Sequence, residues 1–96
     1  MRVIVVGAGE VGSSIAASLS ESHDVVVVDQ DAERVESLTY DLDVLAVEGD
    51  GTSLDTSEEV RVDDADMLIA STDIDETNIV ACATAKTLSD VFTIAG

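Results

Sequence analysis

The sequence predicts an α/β fold, a doubly wound parallel sheet with strand order 3-2-1-4-5, on three observations. Short β-branched runs alternate with longer stretches of helical period along the whole chain. Two of the runs, VIVV and VVVV, are apolar at every position, as strands covered on both faces require. A glycine-rich turn, GAGEVG, joins the first run directly to the first helical stretch.

The elements follow in order. RVIVV (2–6) is the first strand. Val11, Ile15 and Leu19 then recur four apart and predict the inward stripe of a first helix, from about residue 10 to about residue 22. DVVVV (24–28) is the second strand, and residues 31–41 read as a second helix with Val35 and Leu38 inward and Arg34 and Glu36 outward. VLAVE (44–48) is the third strand, closed by GDGT, where Thr52 is expected to cap a short third helix reaching about residue 60. ADMLIAS (65–71) is the fourth strand, residues 75–88 the fourth helix and VFTIA (91–95) the fifth strand. Parallel strands need crossover connections, and these are right-handed in nearly all cases. The result is a Rossmann-like sheet that stops short of a sixth strand.

Composition limits what such a sheet can do. With 96 residues there is room for one domain, 1–96. Aromatics are 2% of the chain, so the core must be aliphatic. The formal net charge of −17, from 21 acidic against 4 basic side chains, excludes nucleic acid and anionic membrane as natural partners. The acids fall on helix faces and turns, a distribution that resembles halophilic proteins, whose repulsion is screened by concentrated salt. Cys82 is the only cysteine, so neither an intrachain disulfide nor a cysteine zinc site can form. The apolar runs are too short to span a bilayer, and no signal peptide precedes the first strand. A cytoplasmic protein with no membrane insertion of its own is expected.

GAGEVG matches G-x-G-x-x-G, and its context gives the match weight. It follows a strand, opens a helix, and is followed about 20 residues later by an acid, Asp29, at the tip of the second strand. In that geometry Gly7 permits the sharp turn, Gly9 lets backbone approach a pyrophosphate, and Gly12 allows the helix to pack on the strand. Ala8, Glu10 and Val11 lie within the same turn. The phosphates would meet the N–H groups at the positive end of the first helix. Asp29, followed by Gln30, would accept from the ribose hydroxyls, which favours NAD(H) over NADP(H). Arg34 either accommodates a 2′-phosphate or pairs with an acid of its own helix. Gly49, Asp50, Gly51 and Thr52 either line the adenine side or form a turn and cap. Ser71, Thr72 and Asp73, after the fourth strand, either meet ribose or phosphate or cap the fourth helix. Glu10 is an unusual neighbour for an anion.

Three residues invite catalytic readings, and each has a simpler one. Tyr40 lacks a lysine four residues on, His23 sits in the turn before the second strand, and Cys82 lies in the small-residue stretch ACATA. Asp63, Asp64 and Asp66 read as a solvated acidic loop with no metal-binding frame.

Taken together, GAGEVG, VVVVDQD, VEGDGT, DADMLIASTDIDETN and ACATAK resemble the N-terminal nucleotide-binding domain of the TrkA family. These are cytosolic regulators of potassium uptake, related to the RCK domains of potassium channels. The resemblance implies NAD(H), or ATP or ADP, held by Gly7, Gly9, Glu10, Val11, Gly12, Asp29, Gln30, Asp50, Gly51, Thr52, Ser71, Thr72 and Asp73. It implies a homo-oligomer beneath a membrane potassium-transport subunit, with no enzymatic activity. Family members continue past the fifth strand with an arginine, where this sequence has Gly96, so a portion of a longer protein is expected. The competing expectation is the cofactor half of an NAD-dependent dehydrogenase.

Overall fold

A computed structural model describes residues 1–96. The chain forms β1 (Arg2–Val6), α1 (Glu10–Ser20), β2 (Asp24–Asp29), α2 (Ala32–Asp41), β3 (Leu45–Glu48), α3 (Leu54–Glu59), a 3-10 turn (Val62–Asp64), β4 (Met67–Ala70), α4 (Asp75–Leu88) and β5 (Phe92–Ala95). Every strand pair is parallel and the order is β3-β2-β1-β4-β5, the predicted topology.

The central strand explains the two-sided core. Ile4 and Val6 of β1 join Val26, Val28, Leu68 and Ala70 on one face, where Ala81 and Ala85 of α4 cover them. Val3 and Val5 point the other way with Val25 and Val27, under Ala16 of α1 and Leu38 of α2. Register keeps the two sets apart: Val3 pairs with Val25 and Ile4 with Val26, so alternate residues from neighbouring strands stack on the same face. An all-valine strand therefore serves both layers at once.

Two helix readings are corrected. Val11 does not face the sheet; it is 62% exposed, and the inward stripe of α1 is Gly12 and Ala16 with the partly buried Ile15 and Leu19. Gly12 must lie against the first turn, which rotates the helix and carries Val11 outward. The cap of α3 is Ser53, whose hydroxyl accepts from the Asp55 N–H at 3.2 Å, and not Thr52. The acidic segment before β4 is also more structured than a loop. Asp63 and Asp64 lie in the 3-10 turn, where Arg61 pairs with Asp64 at 2.7 Å, and Asp66 accepts from the Arg2 N–H at 2.8 Å. No helix is long and apolar enough to cross a membrane.

Only three ion pairs, made by two arginines, offset the net charge of −17. Self-repulsion among the remaining carboxylates opposes the compact state, and the Debye length shrinks from about 10 Å at 0.1 M salt to about 3 Å at 1 M. Raising potassium chloride across that range should raise the urea midpoint, followed by circular dichroism. A midpoint that falls would show that repulsion is not a governing term.

Candidate nucleotide cleft at the carboxyl edge of the sheet

The turn after β1 separates the three glycines by what each must avoid. Gly7 has φ +110°, and its N–H donates to the Val28 carbonyl at 2.8 Å. A Cβ there would stand 3.1 Å from the backbone of Ser71 and Thr72. At Gly12 a methyl would run into the carbonyl oxygen of Gly7. Both are fixed by architecture. Gly9 is different: its backbone (φ −72°) suits any residue, and the nearest atom to a Cβ would be Nη1 of Arg34 at 3.7 Å.

Gly9 is also the N-cap of α1 and offers no capping side chain. A serine or aspartate there would satisfy an orphan N–H of the first turn. As it stands, the N–H groups of Gly9, Glu10, Val11 and Gly12 donate to nothing within the chain. These unpaired donors lie at the positive end of an 11-residue helix, beside a residue with no side chain.

Asp29 ties this turn to β2. Its Oδ2 accepts from the Ala8 N–H at 2.7 Å and its Oδ1 from the Asp31 N–H at 2.8 Å. The side chain is only 11% exposed, and each carboxylate oxygen keeps a further lone pair for a hydroxyl donor. Arg34 stands 3.8 Å from Asp29 and, through Nε, 3.8 Å from Asp31. Its pairing with acids of its own neighbourhood is thus present, though loose.

The other two loops close the opposite wall. Asp50 Oδ1 accepts from the Thr52 hydroxyl at 2.6 Å and the Thr52 N–H at 2.9 Å. Those two bonds, with a smaller contribution from Gln30, hold the Asp50 carboxyl below its ordinary range. Gly51 lets this loop lie on Val6, whose Cγ1 a methyl would strike. After β4, the Ser71 N–H continues the sheet by donating to the Val6 carbonyl at 2.9 Å. Thr72 is then held by Asn78 of α4, whose Oδ1 accepts from the Thr72 N–H at 2.8 Å while its Nδ2 donates to the Thr72 carbonyl at 3.1 Å. Asn78 is 2% exposed.

The sequence reading missed Asn78. Its signal was present, because a polar residue three before Ala81 and seven before Ala85 shares their inward face and must find partners there. Thr72 itself does not cap α4; the helix begins after Ile74 with no side-chain cap.

Gly7, Asp29, Gln30, Arg34, Gly49, Asp50, Gly51, Thr52, Thr72 and Asp73 line one cleft of about 350 Å³, joined by Val6, Val28, Ile74 and Thr77. Gly9, Glu10, Val11 and Ser71 line an adjoining hollow of about 170 Å³ that shares Gly7, Asp29, Arg34, Thr72 and Asp73. Ala8 and Gly12 line neither; both are buried, and Ala8 acts through its N–H on Asp29. A larger groove of about 570 Å³ lies between α1 and α2 but shares only Ala8 and Arg34 with the predicted residues. It has none of the free helix-end donors, so the candidate site is the cleft and hollow above β1. Tyr40 projects from α2 at 83% exposure, and His23 lines a groove at the opposite edge of the sheet. Cys82 packs with Sγ 3.7 Å from the Ile94 carbonyl, and burial pushes its thiol pKa up.

A parallel sheet ordered 3-2-1-4-5, with a glycine turn opening α1 and an acid closing β2, defines the Rossmann-like dinucleotide-binding class of fold. Within that class the chain belongs to the TrkA-N domain family, whose profile matches residues 3–95. Trk system potassium uptake protein trkA homolog 1 of Methanosarcina mazei is 46% identical over 86 residues, which is 90% of this chain and 21% of that protein. Trk system potassium uptake protein TrkA of Halomonas elongata is 44% identical over 89 residues, 92% of this chain and 20% of its own length. The chain thus spans about a fifth of these relatives. Among solved structures, the Kef CTD of Shewanella denitrificans in AMP-bound form matches with a TM-score of 0.82 at 20% identity, over 97% of this chain and 57% of that one. A likeness at that identity speaks to the fold.

The glycines can be told apart by stability. Gly12→Ala forces a methyl against backbone and should cost at least about 2 kcal/mol in urea unfolding. Gly9→Ser adds a favoured cap where nothing obstructs it, and should be neutral or stabilising by up to about 1 kcal/mol. Equal losses at the two positions would contradict the assignment of Gly9 to a surface kept open.

Proposed function

We propose that residues 1–96 form the NAD(H)-binding regulatory domain of a potassium uptake system. The observation that carries this reading is the open face at Gly9. Unpaired N–H donors of the first turn stand beside a glycine that neither the backbone nor the packing requires, and Gly9, Glu10 and Val11 line the hollow. A helix N-terminus with unpaired N–H groups and the positive end of the dipole is suited to bind a phosphate.

In this reading the first turn of α1 receives the diphosphate of the dinucleotide. Asp29 takes the adenosine ribose hydroxyls on its free lone pairs while keeping Ala8 and Asp31 in place. A 2′-phosphate would face a nearly buried carboxylate, so NAD(H) is preferred to NADP(H). The loop at Gly49–Thr52, with Ile74 and Thr77, offers walls for the adenine side. ADP or ATP would enter the same cleft through the same donors.

The binding is regulatory rather than catalytic. Hydride transfer needs a substrate pocket and an acid or base poised beside the nicotinamide, whereas the relatives most like this chain are named for potassium uptake and not for a dehydrogenase. The dehydrogenase reading has no comparable support. A ligand shifts an assembly only by binding its states unequally, and a tenfold difference amounts to about 1.4 kcal/mol. Helix α1 starts at the cleft and Thr72 is clasped to α4 through Asn78. Those two helices are the elements through which occupancy would be felt. The relatives are named for a Trk potassium uptake system, which supports a membrane potassium-transport subunit as partner; a homo-oligomer as the working form and a cytoplasmic position through that partner belong to the same proposal.

Calorimetry on the protein that carries this chain tests the assignment. NAD+ should bind, and Asp29→Ala should weaken it at least about tenfold, a loss of about 1.4 kcal/mol or more. Circular dichroism checks that the variant stays folded. Unchanged NAD+ affinity in folded Asp29→Ala would remove the ribose role, and the dinucleotide assignment with it.

A further inference from the structure

The face of the sheet that carries α1 and α2 is covered unevenly. Val3, Met67 and Phe92 stand in one register row across β1, β4 and β5, and Val5, Ile69 and Ile94 in the next. Exposure climbs along both rows. Val3 and Val5 are 0% exposed, Met67 and Ile69 are partly buried, and Phe92 and Ile94 reach 59% and 42%. The cause is where the helices sit: α1 packs on β1 and β2, α2 on β2 and β3, and α4 covers β4 and β5 from the opposite face. Nothing in residues 1–96 covers Phe92 and Ile94.

Helix α1 adds apolar surface beside this opening. Ser13 and Ala17 line the groove toward α2, so Val11 and Ile15, about half a turn round the helix, lie on the flank toward β4. Val11 accordingly borders the hollow with Ser71, Thr72 and Asp73, which follow β4 directly. None of the side chains on this flank or in the two open rows carries a charge, on a chain whose net charge is −17.

Parallel sheets are covered on both faces, and the handedness of the connections decides what cannot cover this one. The helices leading from β1 outward to β2 and β3 lie on one face, and α4, leading the other way from β4 to β5, lies on the other. A right-handed connection onward from β5 to a strand beside it would place its helix on the face of α4. Widening the sheet therefore leaves Phe92 and Ile94 open.

Resting on the homo-oligomer proposed above, we propose that a second copy of this chain covers the open face of β4 and β5, in a two-fold contact centred on Phe92 and Ile94. A two-fold axis places a surface against itself, so an uncharged apolar patch meets one of the same character. A basic partner would be drawn to the carboxylates elsewhere on the molecule, and an acidic one repelled by them. The contact also shields the free edge of β5, which has β4 on one side and no strand on the other.

Sedimentation velocity on the protein that carries this chain tests the inference. Wild type should associate, and more tightly as potassium chloride rises from about 0.1 M to about 1 M, because screening removes repulsion between two strongly acidic copies and leaves an apolar contact intact. Phe92→Ser combined with Ile94→Thr should weaken the association at least about tenfold, with circular dichroism checking the fold. Tyr40→Ser, at a more exposed aromatic on α2, should leave it unchanged. A benzophenone-bearing phenylalanine in place of Phe92 reads the contact directly and decides alone if the double variant does not fold. Illumination should give a product of doubled mass, joined within residues 11–19, 67–69 or 92–94 of the second copy. A double variant that associates like wild type, an association that salt weakens, or a cross-link that is missing or lands anywhere else, polypeptide beyond residues 1–96 included, would overturn the inference. An oligomer that survives the double variant leaves the homo-oligomer standing on another surface, whereas a wild type that stays monomeric removes both.

Discussion

The seating of Gly12 against the carbonyl of Gly7 governs the rest of this molecule. Two backbones meet there at a distance no side chain would allow, and the contact fixes both where α1 begins and how it is rotated. The rotation sends Ala16 and Leu19 into the sheet and turns Val11 out. It also aims the first turn of the helix, with its unpaired N–H groups, over the carboxyl end of β1. Packing and the geometry of the candidate site thus come from one close approach.

Asp29 shows how a residue can serve two purposes without conflict. A carboxylate has more lone pairs than its two backbone partners use, so it braces Ala8 and Asp31 while presenting acceptors to the cleft. Asn78 does the corresponding work on the far wall. It spends its amide on the backbone of Thr72, so the loop after β4 has a defined position before any ligand arrives. Preorganisation of this kind lowers the ordering cost of binding. It also links each wall to a helix, α1 on one side and α4 on the other.

Much of this was legible in the sequence. Unbroken valine runs could only be strands covered on both faces, and the strand–turn–helix setting of GAGEVG put the glycine turn beside Asp29, where the Ala8 N–H meets it. What escaped was set by contacts between elements. Of the Val11–Ile15–Leu19 spacing, Ile15 and Leu19 pack inward as expected and Val11 alone does not, because glycine counts for nothing in a hydrophobic pattern, yet at position 12 it lies against the backbone of Gly7. Thr52 looked like a cap, but Asp50 engages its hydroxyl and leaves Ser53 to cap α3. Asn78 was overlooked because its partners lie on a loop six residues away, and the polarity of a buried amide is informative only once the inward face of α4 is known.

The central claim is that the first turn of α1 is a diphosphate cradle, and backbone amide resonances report on it directly. In a nitrogen–proton correlation spectrum of the isotope-labelled protein, titration with NAD+ should move the amide signals of Gly9, Glu10, Val11 and Gly12 first and furthest. The signals of Ser22 and His23, at the other edge of the sheet, should stay in place. Saturating NAD+ that leaves residues 9–12 unmoved, or that shifts the opposite edge instead, would contradict the account.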